Sequence, residues 1–382
     1  MNLDRTTLAR FREQARQARR AGHYAQAAHL ERQAVELAGT LGLTGERTRA
    51  LLWEGYSLRQ AGQDDLALAV LLQVIHEPAT DPADRFSALI ALLHLSLERK
   101  PARFCRALLE QGRRDVLDFR QPWSALLDFL DGELAFRRGD FDAAREWHER
   151  AWAGRREAHP QLTPATHLWA RCRVAFRRHD LLELEQLTHQ LAELRPNSTV
   201  ERLLVQRAQW LRWRAQRAAT ASPVNADVAP VEQARAFLTR VENQSESHDF
   251  GARLEALRVV ALVGDGDWID THLRQKPLFP DTFETALGLG DLALNRAQAE
   301  QGLPVVDADY SEMAGEGTVA VFPAPDSHSM TALPDEARRC YQAAAQWAEE
   351  QDQRLETGWY GETVRQRQAW LAPGEHVRPE DG

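Results

Sequence analysis

The pattern of apolar and polar positions along the chain is helical nearly throughout. Leu8, Phe11, Ala15 and Ala18 recur at three- and four-residue steps, as do Leu51, Gly55 and Leu58, so each set falls on one face of a helix. Strand-like alternation is almost absent. Turn signals divide the pattern at regular intervals, with Gly22, Gly62 and Gly139 each closing one helical stretch and opening another. Gly62 follows Gly22 by 40 residues and Gly139 follows Gly62 by 77, nearly two further steps of the same size. A period in this range predicts a stacked array of helical units. Ala15, Gly55 and Gly132 each stand seven residues before a turn glycine, where a small side chain lets one helix back closely onto the next. The second helices start in Gly22-His23-Tyr24-Ala25-Gln26-Ala27, Gly62-Gln63-Asp64-Asp65-Leu66-Ala67 and Gly139-Asp140-Phe141-Asp142-Ala143-Ala144, with Ala34, Val74 and Ala151 further along them. Tyr24 and Phe141 are expected to plug the gap between paired helices. A larger residue at the alanine sites would overpack the contact at a cost of about 1–3 kcal/mol.

The stretches Gly22 to Leu37 and Leu130 to Trp152, with Ala15 and Gly132, share a spacing of small-x6-Gly-x-aromatic-x2-Ala-x6-Ala. In this they resemble the tetratricopeptide repeat family. A weaker unit from about Pro164 to Arg195 ends at Pro196 and has His179 where the turn glycine would stand. A degenerate unit spans Asp84 to Arg114 with Cys105 at an alanine site. The period exceeds the family's usual length of about 34 residues, because connectors such as Thr40 to Thr44 and Pro78 to Pro82 are longer. The resemblance implies an all-α fold, a right-handed superhelical α-solenoid of about eight antiparallel helix pairs, each pair packing only on its neighbours.

On this reading residues 1–198 are the best-matching repeats and 199–302 are degenerate helix pairs. The latter comprise Thr199 to Ala219, Val231 to Glu242, Phe250 to Val263, Trp268 to Arg274 and Asp281 to Gln301. Residues 303–334 form an irregular insert, rich in Pro, Gly, Ser and acids around Val319-Ala320-Val321-Phe322. It is either a surface or disordered loop or a flap that meets a partner. Residues 335–372 restore the pattern, with Ala337, Tyr341 and Ala344 at packing positions. They end in a capping helix running to about Trp370, whose polar face carries Arg365, Gln366 and Arg367. Residues 373–382 read as a flexible tail.

Composition narrows the function. The chain has 47 Lys and Arg against 56 Asp and Glu, a net charge of −9, which argues against a dedicated nucleic-acid binder. Three distant cysteines, Cys105, Cys172 and Cys340, suit neither a disulfide framework nor a zinc site and point to a reducing cytoplasm. No apolar run is long enough to span a membrane, and the first residues lack the layout of a signal peptide. No phosphate-binding glycine loop, metal-ligand pair or nucleophile–base set is legible. Asp326-Ser327-His328-Ser329 has hydrolase residue types, but sequence neighbours cannot build a triad. The expectation is therefore a non-enzyme with no cofactor and no metal.

What remains is surface. In the family that the chain resembles, the first helix of each pair lines the concave face. Projected onto this sequence, that face carries Arg12, Arg16 and Arg19, then Arg49, Leu52, Tyr56 and Arg59. Phe129, Glu133, Phe136 and Arg137 follow, then Trp169, Arg173, Phe176 and Arg177. The candidate partner-binding residues are Arg12, Arg16, Arg49, Tyr56, Arg59, Phe129, Glu133, Phe136, Arg137, Trp169, Arg173 and Arg177. Arginines interleaved with aromatics suit an extended or helical protein segment carrying acids and an apolar anchor. The family's clamp for a chaperone's terminal carboxylate is not matched, since those positions hold Arg12, Arg16, Leu52 and Tyr56 without asparagine. The expected function is a protein–protein interaction scaffold binding such a segment in its groove. The alternative is a ligand- or peptide-sensing array that acts on a separate output protein. Nearly all the basic residues are arginine, with Lys100 and Lys276 the only lysines. Genome composition explains this bias as well as a need for guanidinium groups does.

Overall fold

A computed structural model describes residues 2–119, 123–155, 162–196, 198–220, 228–242, 250–275, 283–300, 305, 307 and 335–369. These residues form an all-helical array of seventeen helices, without a strand among them. The expected tail 373–382 and all of the insert 303–334 except Val305 and Asp307 lie outside the described residues.

The turns show why the sequence breaks where it does. Helix α1 (Asn2–Arg20) meets α2 (Tyr24–Thr40) at Gly22, α2 meets α3 (Thr44–Gln60) at Gly42, and α3 meets α4 (Asp64–His76) at Gly62. Further on, α7 (Ser124–Arg137) meets α8 (Phe141–Ala153) at Gly139. In each turn the backbone N–H after the glycine donates to a carbonyl five residues back: His23 to Ala18, Leu43 to Ala38, Gln63 to Leu58 and Asp140 to Ala135, all at 2.9–3.0 Å. This closure needs a left-handed residue, and the four glycines have φ between 67° and 78°. Between α9 (Pro164–Arg177) and α10 (Leu181–Glu193), His179 takes the same role at φ 57°, with Asp180 donating to Ala175 at 3.0 Å. A non-glycine residue there costs roughly 1–2 kcal/mol. The turn of the weak unit read around Pro164 to Arg195 is thus closed in the same way as those of the stronger ones.

The small residues occupy the contacts that the spacing assigned to them. Ala15, Ala27, Ala34, Ala67, Val74, Ala144, Ala151, Ala337 and Ala344 are all fully buried. A Cβ on Gly55 would lie 2.7 Å from the Leu71 side chain, so α3 and α4 approach too closely for even alanine without repacking. Gly112, which periodicity did not single out, does the same in α6 (Ala102–Phe119): its Cβ would meet Leu89 at 2.7 Å and Leu127 at 2.9 Å.

Helix packing divides the chain into two compact units, residues 1–134 with 153–159 and residues 135–152 with 160–382. In the first, α1 to α4, α5 (Pro82–Arg99) and α6 pack in chain order, and α3 also contacts α5. Its core runs through Leu51, Leu71, Val74, Leu92 and Leu95.

The second unit stacks α9 on α11 (Thr199–Thr220), α11 on α13 (Phe250–Ala261), and α13 on α15 (Phe283–Glu300). Then α15 packs on α16 (Asp335–Leu355), and α16 on α17 (Trp359–Ala369). Here the expectation that each pair touches only its neighbours fails. The Tyr360 hydroxyl donates to the Arg137 carbonyl at 2.9 Å, and the Thr357 hydroxyl to the Arg138 carbonyl at 2.8 Å. Arg138 in turn donates to the Leu355 and Glu356 carbonyls at 3.1 and 3.3 Å. The Trp359 ring lies over the bare face of Gly139 and edge-on to Phe141, 5.9 Å between ring centres. A pocket left by one glycine and an aromatic partner for Trp359 draw the end of the chain back some 220 residues.

The last helix also differs from the polar cap expected of it. Arg367 is fully buried and donates through Nε to Asp291 at 2.9 Å. The other partners of Asp291 are Tyr341 (3.0 Å) and Arg258 (2.9 Å). A buried carboxylate on α15 that accepts from three other helices ties α13, α15, α16 and α17 together.

Candidate functional site

The described surface has a cleft of about 550 Å³ in the first unit. Helix α1 supplies Arg12, Arg16, Arg19 and Arg20; Arg16 stands four residues from both Arg12 and Arg20 and three from Arg19, steps that keep side chains on one face of a helix. On α1 Ala15 and Ala18 are buried instead, so the apolar side of the helix turns inward and its arginines line the cleft. Helix α3 supplies Trp53, Tyr56, Ser57 and Gln60, again on one face, and α2 supplies Tyr24 and Glu31.

The cleft has a cationic wall, an aromatic wall and one buried acid. Trp53 is 39% exposed, with its ring centre 5.7 Å from that of Tyr56. The Arg19 guanidinium lies 4.5 Å from the Trp53 ring centre and donates to Glu31 at 2.6 Å. Arg12 pairs with Glu46, and Arg16 with Glu13 at 2.7 Å. Arg20 is exposed and has no carboxylate partner among the described residues. The Tyr56 hydroxyl donates to the Ser87 carbonyl at 3.1 Å, which fixes its ring. Burial raises the pKa of Glu31 above the ordinary carboxylate value, and the bond from Arg19 only partly offsets this. The exposed pair of Arg16 is worth about 0–1 kcal/mol, so an incoming carboxylate can replace Glu13 at little cost. Chemically the cleft suits an anion next to an apolar or aromatic group.

Sequence reasoning placed Arg12, Arg16 and Tyr56 at this site, with Arg19 on the same face. It missed Arg20, Tyr24 and Trp53. Tyr24, expected to plug the gap between paired helices, lines an opening, as does Trp53. Their signal was present in the three-residue step from Trp53 to Tyr56 on one face of α3. Arg49 is exposed and pairs with Asp84 at 3.3 Å. Arg59 is half-buried and lies outside the cleft lining. Leu52 and Phe129 are buried, so they present packing surface and no groove. Glu133 is half-buried.

The remaining candidates belong to the second unit, where the arginines meet partners from the chain itself. The Arg173 guanidinium sits 4.6 Å from the Phe136 ring centre and 5.9 Å from that of Trp169. Arg177 lies 5.8 Å from the Trp359 ring. Trp169 is buried, with Arg207 over it at 4.6 Å. Arg207 also forks onto Glu255 at 2.8 and 2.9 Å. Arg214, buried over Phe176 at 4.9 Å, forks onto Asp307 at 2.7 and 2.8 Å. Arg137 is half-buried and contributes its carbonyl to Tyr360. An arginine laid on a ring and bonded to a carboxylate thus recurs at Arg19, Arg207 and Arg214.

The cysteines are free thiols. Burial pushes the Cys172 thiol up to about 12, which keeps it protonated. No group of three or more His, Cys, Asp or Glu is placed to hold a metal among the described residues. No helix of the described residues is long and apolar enough to cross a membrane. Comparison with models of protein families, with curated proteins and with solved structures returns no match to this chain.

Proposed function

We propose that the chain is a non-catalytic interaction scaffold of tetratricopeptide-like helix pairs, and that its first unit binds an acidic protein segment. The observation that supports this is the cleft itself, where four guanidinium groups face an exposed Trp53 and Tyr56. Arginine and large aromatics contribute most of the energy at protein interfaces. The segment's carboxylates would engage Arg16 and Arg20, and an apolar side chain would lie against the Trp53 ring. A groove of this kind supports an affinity of about micromolar, near −8 kcal/mol. The turns repeated at Gly22, Gly42, Gly62, Gly139 and His179 favour a repeat architecture, and with it a right-handed superhelix as the longer-range arrangement.

A second reading rests on cleft size. About 550 Å³ falls within the range of roughly 300–1,000 Å³ typical of small-molecule pockets, which suits an array that senses a ligand and acts on a separate output protein. The two readings separate in one experiment: capture from lysate of the source cell, run with the native chain and with Arg16→Glu/Arg20→Glu. The scaffold reading expects a specific protein on the native chain that is lost from the variant. A partner retained equally by both removes the cleft from the account. A thermal shift with a small anionic compound and no protein partner supports the sensing array.

A further inference from the structure

We propose that Glu31 is a resident carboxylate holding Arg19 in the place of the partner's acid. Binding of an acidic segment then draws Arg19 onto the segment, and Glu31 takes up a proton from solvent. The inference rests on the cleft reading above and specifies how that site is regulated.

The geometry carries it. Glu31 is fully buried on the inner side of the cleft, yet only one of its oxygens is satisfied among the described residues: Oε1 accepts from Arg19 at 2.6 Å, and Oε2 has no hydrogen-bond partner there. A buried carboxylate with an unsatisfied oxygen is poorly stabilised as an anion. Arg19 lies over the Trp53 ring and reaches both Glu31 and the cleft, so turning its fork from one to the other does not require it to leave the ring. The groups facing Glu31 come from both helices packed against α2. From α1 they are Arg19 and Arg12, which favour its ionised form. From α3 it is Glu54, a like charge that disfavours it and is itself bonded to Arg32 at 2.6 Å. Burial is the largest influence on Glu31 and raises its pKa; the hydrogen bond from Arg19 is the largest opposing one. Removing that bond therefore raises the pKa further. The occupied cleft then binds more protons than the empty one, and affinity must rise as pH falls while the segment's own acids stay ionised. Nothing is consumed but a solvent proton, which passes to Oε2 or Oε1 of Glu31.

The test uses the full chain and a blocked octapeptide of alternating glutamate and leucine, acetylated and amidated so that only side chains carry charge. Calorimetric titrations in buffers of different protonation enthalpy, between about pH 6 and about pH 8, read proton uptake directly. The native chain is expected to take up protons on binding and to weaken as pH rises. Glu31→Gln should take up none and bind at least about threefold more tightly at the upper end of the range, with little pH dependence. It should also melt at or above the native temperature near neutral pH, because the folded state disfavours ionised Glu31. Should it fail to fold, Arg19→Gln provides the second arm, with weaker binding and no proton uptake. Identical proton uptake and affinity in the native chain and Glu31→Gln would overturn the exchange and leave the cleft reading standing. No binding of the octapeptide, or binding unaffected by Arg16→Glu/Arg20→Glu, removes the cleft reading and this inference with it.

Discussion

The two units use the same ingredients to opposite ends. Both set arginines against aromatic rings on the first helices of their pairs. In the second unit the chain supplies the answering carboxylates itself: Glu255 to Arg207, Asp307 to Arg214, and Asp291 to Arg258 and Arg367. These pairs are buried or nearly so, and they hold together helices far apart in sequence. In the first unit the contacts run in chain order, the Arg16–Glu13 pair faces solvent, and Arg20 and Trp53 are exposed. The same side chains make a closed structure where carboxylates distant in sequence cover them and an open surface where, as at Arg16 and Arg20, they stay exposed. An arginine-rich face is therefore evidence of binding only where the chain leaves it uncovered.

The largest effect expected is at the buried network of the second unit. Asp291→Ala removes a buried acceptor shared by Arg258, Arg367 and Tyr341 and should cost about 3–5 kcal/mol in denaturant unfolding, the range for breaking a buried ion pair. Octapeptide binding should survive it under conditions where the chain is folded. An unfolding midpoint close to native would mean that the network contributes little to closure.

A paired glycine substitution sharpens the comparison. At Gly62 a Cβ meets nothing within 4 Å, so Gly62→Ala bears only the left-handed backbone penalty, about 1 kcal/mol. At Gly139 the same Cβ would lie 2.5 Å from the Trp359 ring, so Gly139→Ala adds overpacking and should cost about 2–4 kcal/mol in total. Trp359→Ala in the Gly139→Ala background should return the overpacking part of that loss, a coupling that a double-mutant cycle measures. Equal costs at the two glycines would show that Trp359 does not sit firmly on the turn.

The smallest stability effect is expected in the cleft. Arg16→Glu/Arg20→Glu changes exposed side chains only and should move unfolding by less than about 0.5 kcal/mol. Lowered stability of several times that size would make these arginines structural.

Much of this was legible from spacing. The turn glycines, the alanines of the close contacts and the helix pairs followed from small and apolar residues at helical steps, because those steps decide how near two helices can come. His179 in place of a glycine was readable as a weak unit, since backbone hydrogen bonding accommodates a strained residue. The return of Trp359 to Gly139 was not readable, because contacts over some 220 residues leave no mark in local periodicity. Arg367 looked like a surface cation for the same reason: its acid, Asp291, lies 76 positions away. In the candidate site, helical spacing grouped Arg12, Arg16 and Arg19. It could not tell that Trp53 lies exposed while Trp169 is buried, because exposure is set by what the rest of the chain covers.

The central claim is that the open arginines of the first unit bind and the covered ones of the second unit hold the fold. Its most direct test is a side-by-side titration of the acidic octapeptide into Arg16→Glu/Arg20→Glu and Arg173→Glu/Arg177→Glu, with unfolding measured on both. The account predicts that the first variant loses the peptide and keeps its stability, while the second keeps the peptide and loses stability as its cation–ring contacts break. Loss of peptide binding confined to the second variant, with stability intact, would contradict it.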